Sequence, residues 1–210
     1  LLTVPDIYIE RVQQVKRTRK EVLDHIKQKN IYSSIFYILM WGNHKELSIT
    51  QALTYIEENR MIKELSNLLI DGSKPVGDIY NILKEVKGLG PAFFNNFLYF
   101  YSHAFPEKWA ERGYIMDQFT SKSINLLRNS HIKNEINLSH DKLKINKDGS
   151  LDQNTNYINY KNFNQDIQKL TIFFKKQGNL KINEELVEIM LFGSPYNSKD
   201  NLETLPHKRW

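Results

Sequence analysis

Ile82-Leu83-Lys84-Glu85-Val86-Lys87-Gly88-Leu89-Gly90-Pro91-Ala92-Phe93-Phe94 is the stretch on which the reading of this chain turns. A helix is predicted over 78–86, with Ile79, Ile82 and Leu83 on one side. A Gly-x-Gly turn follows. Pro91 then stands in the first turn of a new helix, where proline is best tolerated, and that helix runs to about His103. The glycines admit positive φ and carry no side chain to hold a ligand away. Backbone N–H groups left free at the start of the second helix point outward at the positive end of its dipole, which makes an anion site from main chain. Such a site reads phosphate and ignores base sequence, and Lys87 adds a charge beside it. Gly-x-Gly also serves as a packing corner between helices. Two features favour the anion site: the apolar helices on both sides, and a downstream carboxylate in an apolar setting, Tyr114-Ile115-Met116-Asp117-Gln118-Phe119.

Working outward, apolar residues recur with helical spacing through most of the chain. Residues 7–29 predict an amphipathic helix whose basic outer face is either solvated or turned toward DNA. A mostly buried helix follows over 32–41 and stops at Gly42-Asn43. Thr50 is read as the cap of a helix carrying Ala52, Leu53 and Ile56, and another helix runs from Arg60 to Leu69. Beyond Pro106 a helix is expected near 117–128. The polar, asparagine-rich segment 129–160 follows, then helices over 163–177 and 183–191. Within the polar segment Lys147-Asp148-Gly149 reads as a turn flanked by Leu143-Lys144-Ile145 and Leu151, which predicts a small β-hairpin around 141–153. The expected fold is therefore all-α with one β-hairpin insert, a single domain over 1–210.

Composition narrows the function classes. With 210 residues, 40% of them hydrophobic and 12% aromatic, the chain is long and apolar enough to bury a core. It has no cysteine, so disulfides and thiolate metal sites are excluded and nothing argues for secretion. No apolar run is long enough to span a membrane, and a cytoplasmic protein is expected. The net charge of +5 suits a polyanion partner without requiring one. The histidines show no metal-ligand spacing. Asn146-Lys147-Asp148-Gly149-Ser150 matches half of a calcium loop, but Thr155 stands where the closing acidic ligand belongs. No metal and no cofactor are expected.

Val86-Lys87-Gly88-Leu89-Gly90 followed by Asp117 resembles the motif of the helix-hairpin-helix DNA glycosylases. The wider stretches Gly88–Phe94, Tyr114–Ser123 and Glu184–Phe192 look like the bacterial 8-oxoguanine-glycosylase-fold proteins. The resemblance is sharpest over 80–128, looser over 30–80 and 157–192, and slight over 129–156. It implies a two-lobed helical fold acting as a monomer on double-stranded DNA. It also implies a hairpin (Lys87, Gly88, Leu89, Gly90, Ala92) on the DNA backbone and catalysis by Asp117. The chain departs from the pattern in two places. The stretch from Gly90 to Asp117 is lengthened by about Pro106 to Arg112. Bifunctional members carry a lysine two residues after the second hairpin glycine, and here that residue is Ala92.

Breaking an N-glycosidic bond develops positive charge on the sugar. A carboxylate beneath it stabilises that charge and orients or deprotonates the attacking water. Asp117 suits this role, although an aspartate there could also simply cap the next helix. An amine nucleophile would form an imine and lead to strand cleavage. With alanine at 92 the expected enzyme leaves an intact abasic site, unless Lys87 or Lys122 stands in. The flipped base needs aromatic walls; Trp41, Phe93 and Phe119 are the candidates, although most aromatics at helical spacing serve the core. The resemblance favours an oxidised purine such as 8-oxoguanine. Two other readings stay open here, an inactive DNA-binding module and a structural helical protein. His207-Lys208-Arg209-Trp210 either touches DNA or packs on the domain.

Overall fold

The computed structural model describes residues 18–28, 31–42, 46–72, 74–179 and 181–192. Ten helices are described: α1 (Arg19–Gln28), α2 (Ile31–Trp41), α3 (Glu46–Glu58), α4 (Ile62–Asp71), α5 (Val76–Lys84), α6 (Pro91–Ala104), α7 (Gln118–Asn129), α8 (Ile132–Ile136), α9 (Tyr157–Lys176) and α10 (Glu184–Leu191). The all-α expectation holds among these residues. None of the helices is long and apolar enough to cross a membrane. Residues 7–17 of the predicted first helix and the tail His207–Trp210 lie outside the described residues.

Helix α6 is the hub. It is buried on nearly every side, with Phe94, Phe97, Leu98, Tyr99, Phe100 and Tyr101 all inside. A helix with so few polar positions needs neighbours all round, and α1, α2, α4 and α5 supply them. Helix α10 packs on α7 and α9, and α9 also touches α5. The buried apolar side chains form one connected cluster.

Several boundaries differ from the sequence reading, each for a local reason. Thr50 lies inside α3, not at its cap, because the buried stripe begins earlier, at Ile49, and continues through Ala52, Leu53 and Ile56. Thr18 and Glu21 begin α1 as a capping box: Thr18 N–H donates to the Glu21 carboxylate at 2.7 Å and Glu21 N–H to Thr18 Oγ1 at 3.2 Å. Helix α9 starts at Tyr157, not 163. Asn156 and Asn159 cap it reciprocally, so asparagines read as loop are helix-starting residues.

The predicted β-hairpin at 141–153 does not form. No β-strand occurs among the described residues, and this segment holds only an isolated bridge between Ile145 and Leu151 around a tight turn. Two backbone bonds flank the turn, Asn146 N–H to Ser150 O at 2.8 Å and Asp152 N–H to Lys144 O at 3.0 Å, and before them side chains of the neighbouring helices take the backbone groups that would lengthen a ladder. Asn125 on α7 clamps Leu143, donating to its carbonyl at 2.7 Å and accepting from its N–H at 2.9 Å. Arg128 donates to the Asp141 carbonyl, and the Asp166 carboxylate accepts from Ser139 N–H. Arg128 and Asp166 are themselves a buried ion pair at 2.8 Å. Leu143 and Leu151 are buried as anchors. The segment is thus fastened to α7 and α9, and its β-type pairing stops at the single bridge.

Candidate functional site

The hairpin is built by burying its own apolar turn residues. Val86 and Leu89 point into the core, which leaves Lys87 exposed and Gly88, Gly90 and Ala92 half-exposed at the surface. Leu89 N–H closes the turn on Val86 O at 3.1 Å. Across the hairpin, the Tyr80 and Phe94 rings meet edge to face at 4.8 Å, locking α5 against α6.

The two glycines stand in different situations. Gly88 has φ +90, a conformation that L side chains rarely adopt. Gly90 is the N-cap of α6 with φ −90 and ψ 168, which any residue tolerates. A Cβ there would lie 3.2 Å from the amide nitrogen at the tip of the exposed Gln153 side chain. Gly88→Ala is expected to cost about 1–2 kcal/mol, read as a shift of the urea midpoint with unchanged m-value. A midpoint equal to wild type would contradict the strain at Gly88.

Asp117 stands at the N-terminus of α7, half-buried. Its Oδ1 accepts from Phe119 N–H and Thr120 N–H, both at 2.9 Å, and its own N–H donates to Thr120 Oγ1 at 2.9 Å. This is a complete capping box. Every hydrogen bond to the carboxyl runs to Oδ1; Oδ2 forms none among the described residues. Burial raises the proton affinity of the carboxyl, against the hydrogen bonds from Thr120 and Phe119 and the charge of Arg19, which lower it. The hairpin and the aspartate are joined directly: Asn95, fully buried on α6, donates through Nδ2 to the Met116 carbonyl at 3.2 Å.

The lengthened stretch before Asp117 is packed into the fold. Trp109 is buried and donates from Nε1 to Leu69 O at 3.1 Å, at the end of α4. Gly113 donates its N–H to Ser102 Oγ at 2.9 Å and passes so close to Tyr160 that a Cβ would overlap its hydroxyl and press on the Leu98 backbone.

Behind Asp117 lies a buried ionic cluster that sequence reasoning missed. Arg19 of α1 forks onto Glu188 of α10 with two bonds, at 2.9 and 2.8 Å. The guanidinium also lies 3.5 Å from Glu185 and over the Tyr99 ring, 4.9 Å from its centroid. Tyr99 donates to Glu185 at 2.6 Å. Glu188 is wholly inaccessible, and burial pushes its carboxyl up to about 7 in spite of Arg19. Glu185 stays below the usual range: burial opposes this, but the Tyr99 hydroxyl and Arg19 outweigh it. His103, half-buried against the Tyr99 ring, has its pKa lowered by burial.

The aromatic candidates fall in different places. Trp41 is buried, edge-on to Phe100 at 4.9 Å and 5.8 Å from the Arg19 guanidinium. Phe93 is half-buried near the end of α2, in contact range of Gly42. Phe119 is half-buried beside Phe192 at 5.3 Å, with the exposed Lys122 amine 6.0 Å above its ring.

Residues 5–192 match the family model described as "Putative 8-oxoguanine DNA glycosylase OGG-like protein". Neither the curated proteins nor the solved structures gave a match. The match spans both halves of the site, the Val86–Gly90 hairpin and Asp117, and nearly the whole described structure. The chain belongs to this OGG-like DNA glycosylase family.

Proposed function

We propose that this protein is a monofunctional DNA N-glycosylase that removes an oxidised purine, 8-oxoguanine in the first instance, from double-stranded DNA. The carrying observation is the division of labour within Asp117, where Oδ1 caps α7 and Oδ2 is left without a protein partner among the described residues. The cap fixes the carboxylate in place, and the second oxygen is available to a water or to a sugar. In this reading the hairpin N–H groups hold a phosphate. The flipped base leaves the stack, with the half-buried Phe93 and Phe119 as candidate aromatic walls. As the glycosidic bond lengthens, Asp117 faces the developing sugar cation and orients the attacking water, and the electron pair leaves with the base.

The residue at position 92 argues against a lyase step. Alanine offers no amine for an imine, so the product is an abasic site in an intact strand. The test is borohydride trapping on a duplex carrying 8-oxoguanine, run alongside alkaline cleavage. The expected outcome is strand breaks only after alkali and no covalent adduct. An adduct would assign the chemistry to a lysine elsewhere, with Lys87 and Lys122 the first to substitute.

A further inference from the structure

The segment 143–153 lies between the two functional pieces and touches both. At one end Gln153 places its amide nitrogen 3.2 Å from where a Gly90 Cβ would stand. At the other, Gly149 approaches the first turns of α7: a Cβ there would be 3.2 Å from both Gln118 Oε1 and Lys122 Nζ. Gln118 is the residue after Asp117. The segment is also rigidly held. Asn125 clamps Leu143, Leu143 and Leu151 are buried, and the Tyr80 hydroxyl of α5 donates to the Thr155 carbonyl at 3.1 Å.

The charges of this turn are sorted in a way that suits a polyanion. Its carboxylates are tied up internally. Asp148 accepts from Ser150 N–H and Oγ at 2.9 and 2.7 Å, and Asp152 accepts from Asn154 N–H at 2.7 Å and pairs with Lys144 at 3.1 Å. Lys147 and Gln153 are exposed and form no hydrogen bond or ion pair among the described residues. Lys147 sits two residues before Gly149, in the turn that approaches Lys122. Unsatisfied donors therefore face outward while the acceptors are consumed.

We propose that the 143–153 turn is a third DNA-contacting element, in which Lys147 engages a backbone phosphate and Gln153 adds an amide donor to the phosphate held beside Gly90. This rests on the DNA glycosylase reading. It gives the polar segment a role that the family match alone does not assign: it couples the grip on the backbone to the helix that carries Asp117.

The two side chains differ in charge, and this makes the test specific. Binding of a labelled 8-oxoguanine duplex is measured across a salt titration for the wild type, Lys147→Ala and Gln153→Ala. Losing one phosphate-neutralising cation lowers the slope of log affinity against log salt by about 0.9. Losing a neutral amide donor weakens binding about fivefold and leaves the slope unchanged. Both side chains are exposed, so the thermal midpoints stay at the wild-type value. Salt-dependent wild-type binding with neither variant altered would overturn this inference and leave the glycosylase reading standing. Wild-type protein that shows no salt-dependent binding to duplex DNA would overturn both.

Discussion

Asp117→Asn lowers the single-turnover rate of base excision by about a thousandfold, while duplex affinity and fold are retained. Asparagine caps a helix as well as aspartate does, and the bonds that matter for the cap run to a single oxygen, Oδ1, which the amide keeps. What the substitution removes is the negative charge. Asp117→Ala removes both functions: it loses the same rate and, in addition, about 1 kcal/mol of stability. The pair of variants separates the cap from the chemistry. In the wild type, burial holds the Asp117 proton above the ordinary carboxylate range. The working form is the ionised one, so excision falls as pH drops through that raised value, and the acid limb of the pH–rate profile lies above that of a free aspartate. Full excision by Asp117→Asn would reduce this residue to a helix cap.

The second large effect is on stability. Arg19→Met leaves Glu188, which is inaccessible to solvent, without its cation. Removing one partner of a buried pair costs about 3–5 kcal/mol. The cost depends on pH in a defined direction. In the wild type, burial raises the Glu188 pKa to about 7, above the roughly 4.3 expected of the unfolded chain. The folded state therefore holds a proton that the unfolded state releases. That contribution is complete in acid and is lost as pH rises from about 4.3 through about 7. Without Arg19 the folded value moves higher still, so the variant keeps losing stability above neutrality, where the wild type has levelled off. Denaturant unfolding at several pH values measures this. Arg19→Met/Glu188→Leu, which removes both charges, is expected to recover most of the loss. A single variant as stable as wild type in mild alkali would show that the ion pair does not hold α1 to α10.

What was legible in the sequence was local. The hairpin could be read because a helix end, two glycines and a proline fall within a few residues, and each has a strong backbone preference. Asp117 could be read as a cap or a catalyst, and the structure gives it the geometry of the first while leaving one oxygen for the second. Gly90 needs no positive φ, since its φ of −90 is ordinary, and only the tip of the exposed Gln153 side chain stands near where its Cβ would be. The polar segment was misread because an alternation of lysines and aliphatic residues looks like short strands. Its backbone partners include Asn125, Arg128 and Asp166, side chains on the flanking helices 13 to 27 residues away, which no alternation pattern within the segment reveals. The Arg19–Glu188 pair is the extreme case, its members 169 positions apart in the chain. Only a hint was present: a glutamate among Leu186, Val187, Ile189 and Leu191 is a charge on a mostly apolar helix and calls for a partner.

The most direct test of the central claim is release of the free base. The protein is incubated with a duplex containing 8-oxoguanine, and the small-molecule fraction is analysed by mass spectrometry, with Asp117→Asn in parallel. The account predicts free 8-oxoguanine from the wild type, one equivalent of alkali-labile sites in an otherwise intact strand, and neither product from the variant. No free base from the wild type at saturating duplex binding, or equal release by both proteins, would contradict it.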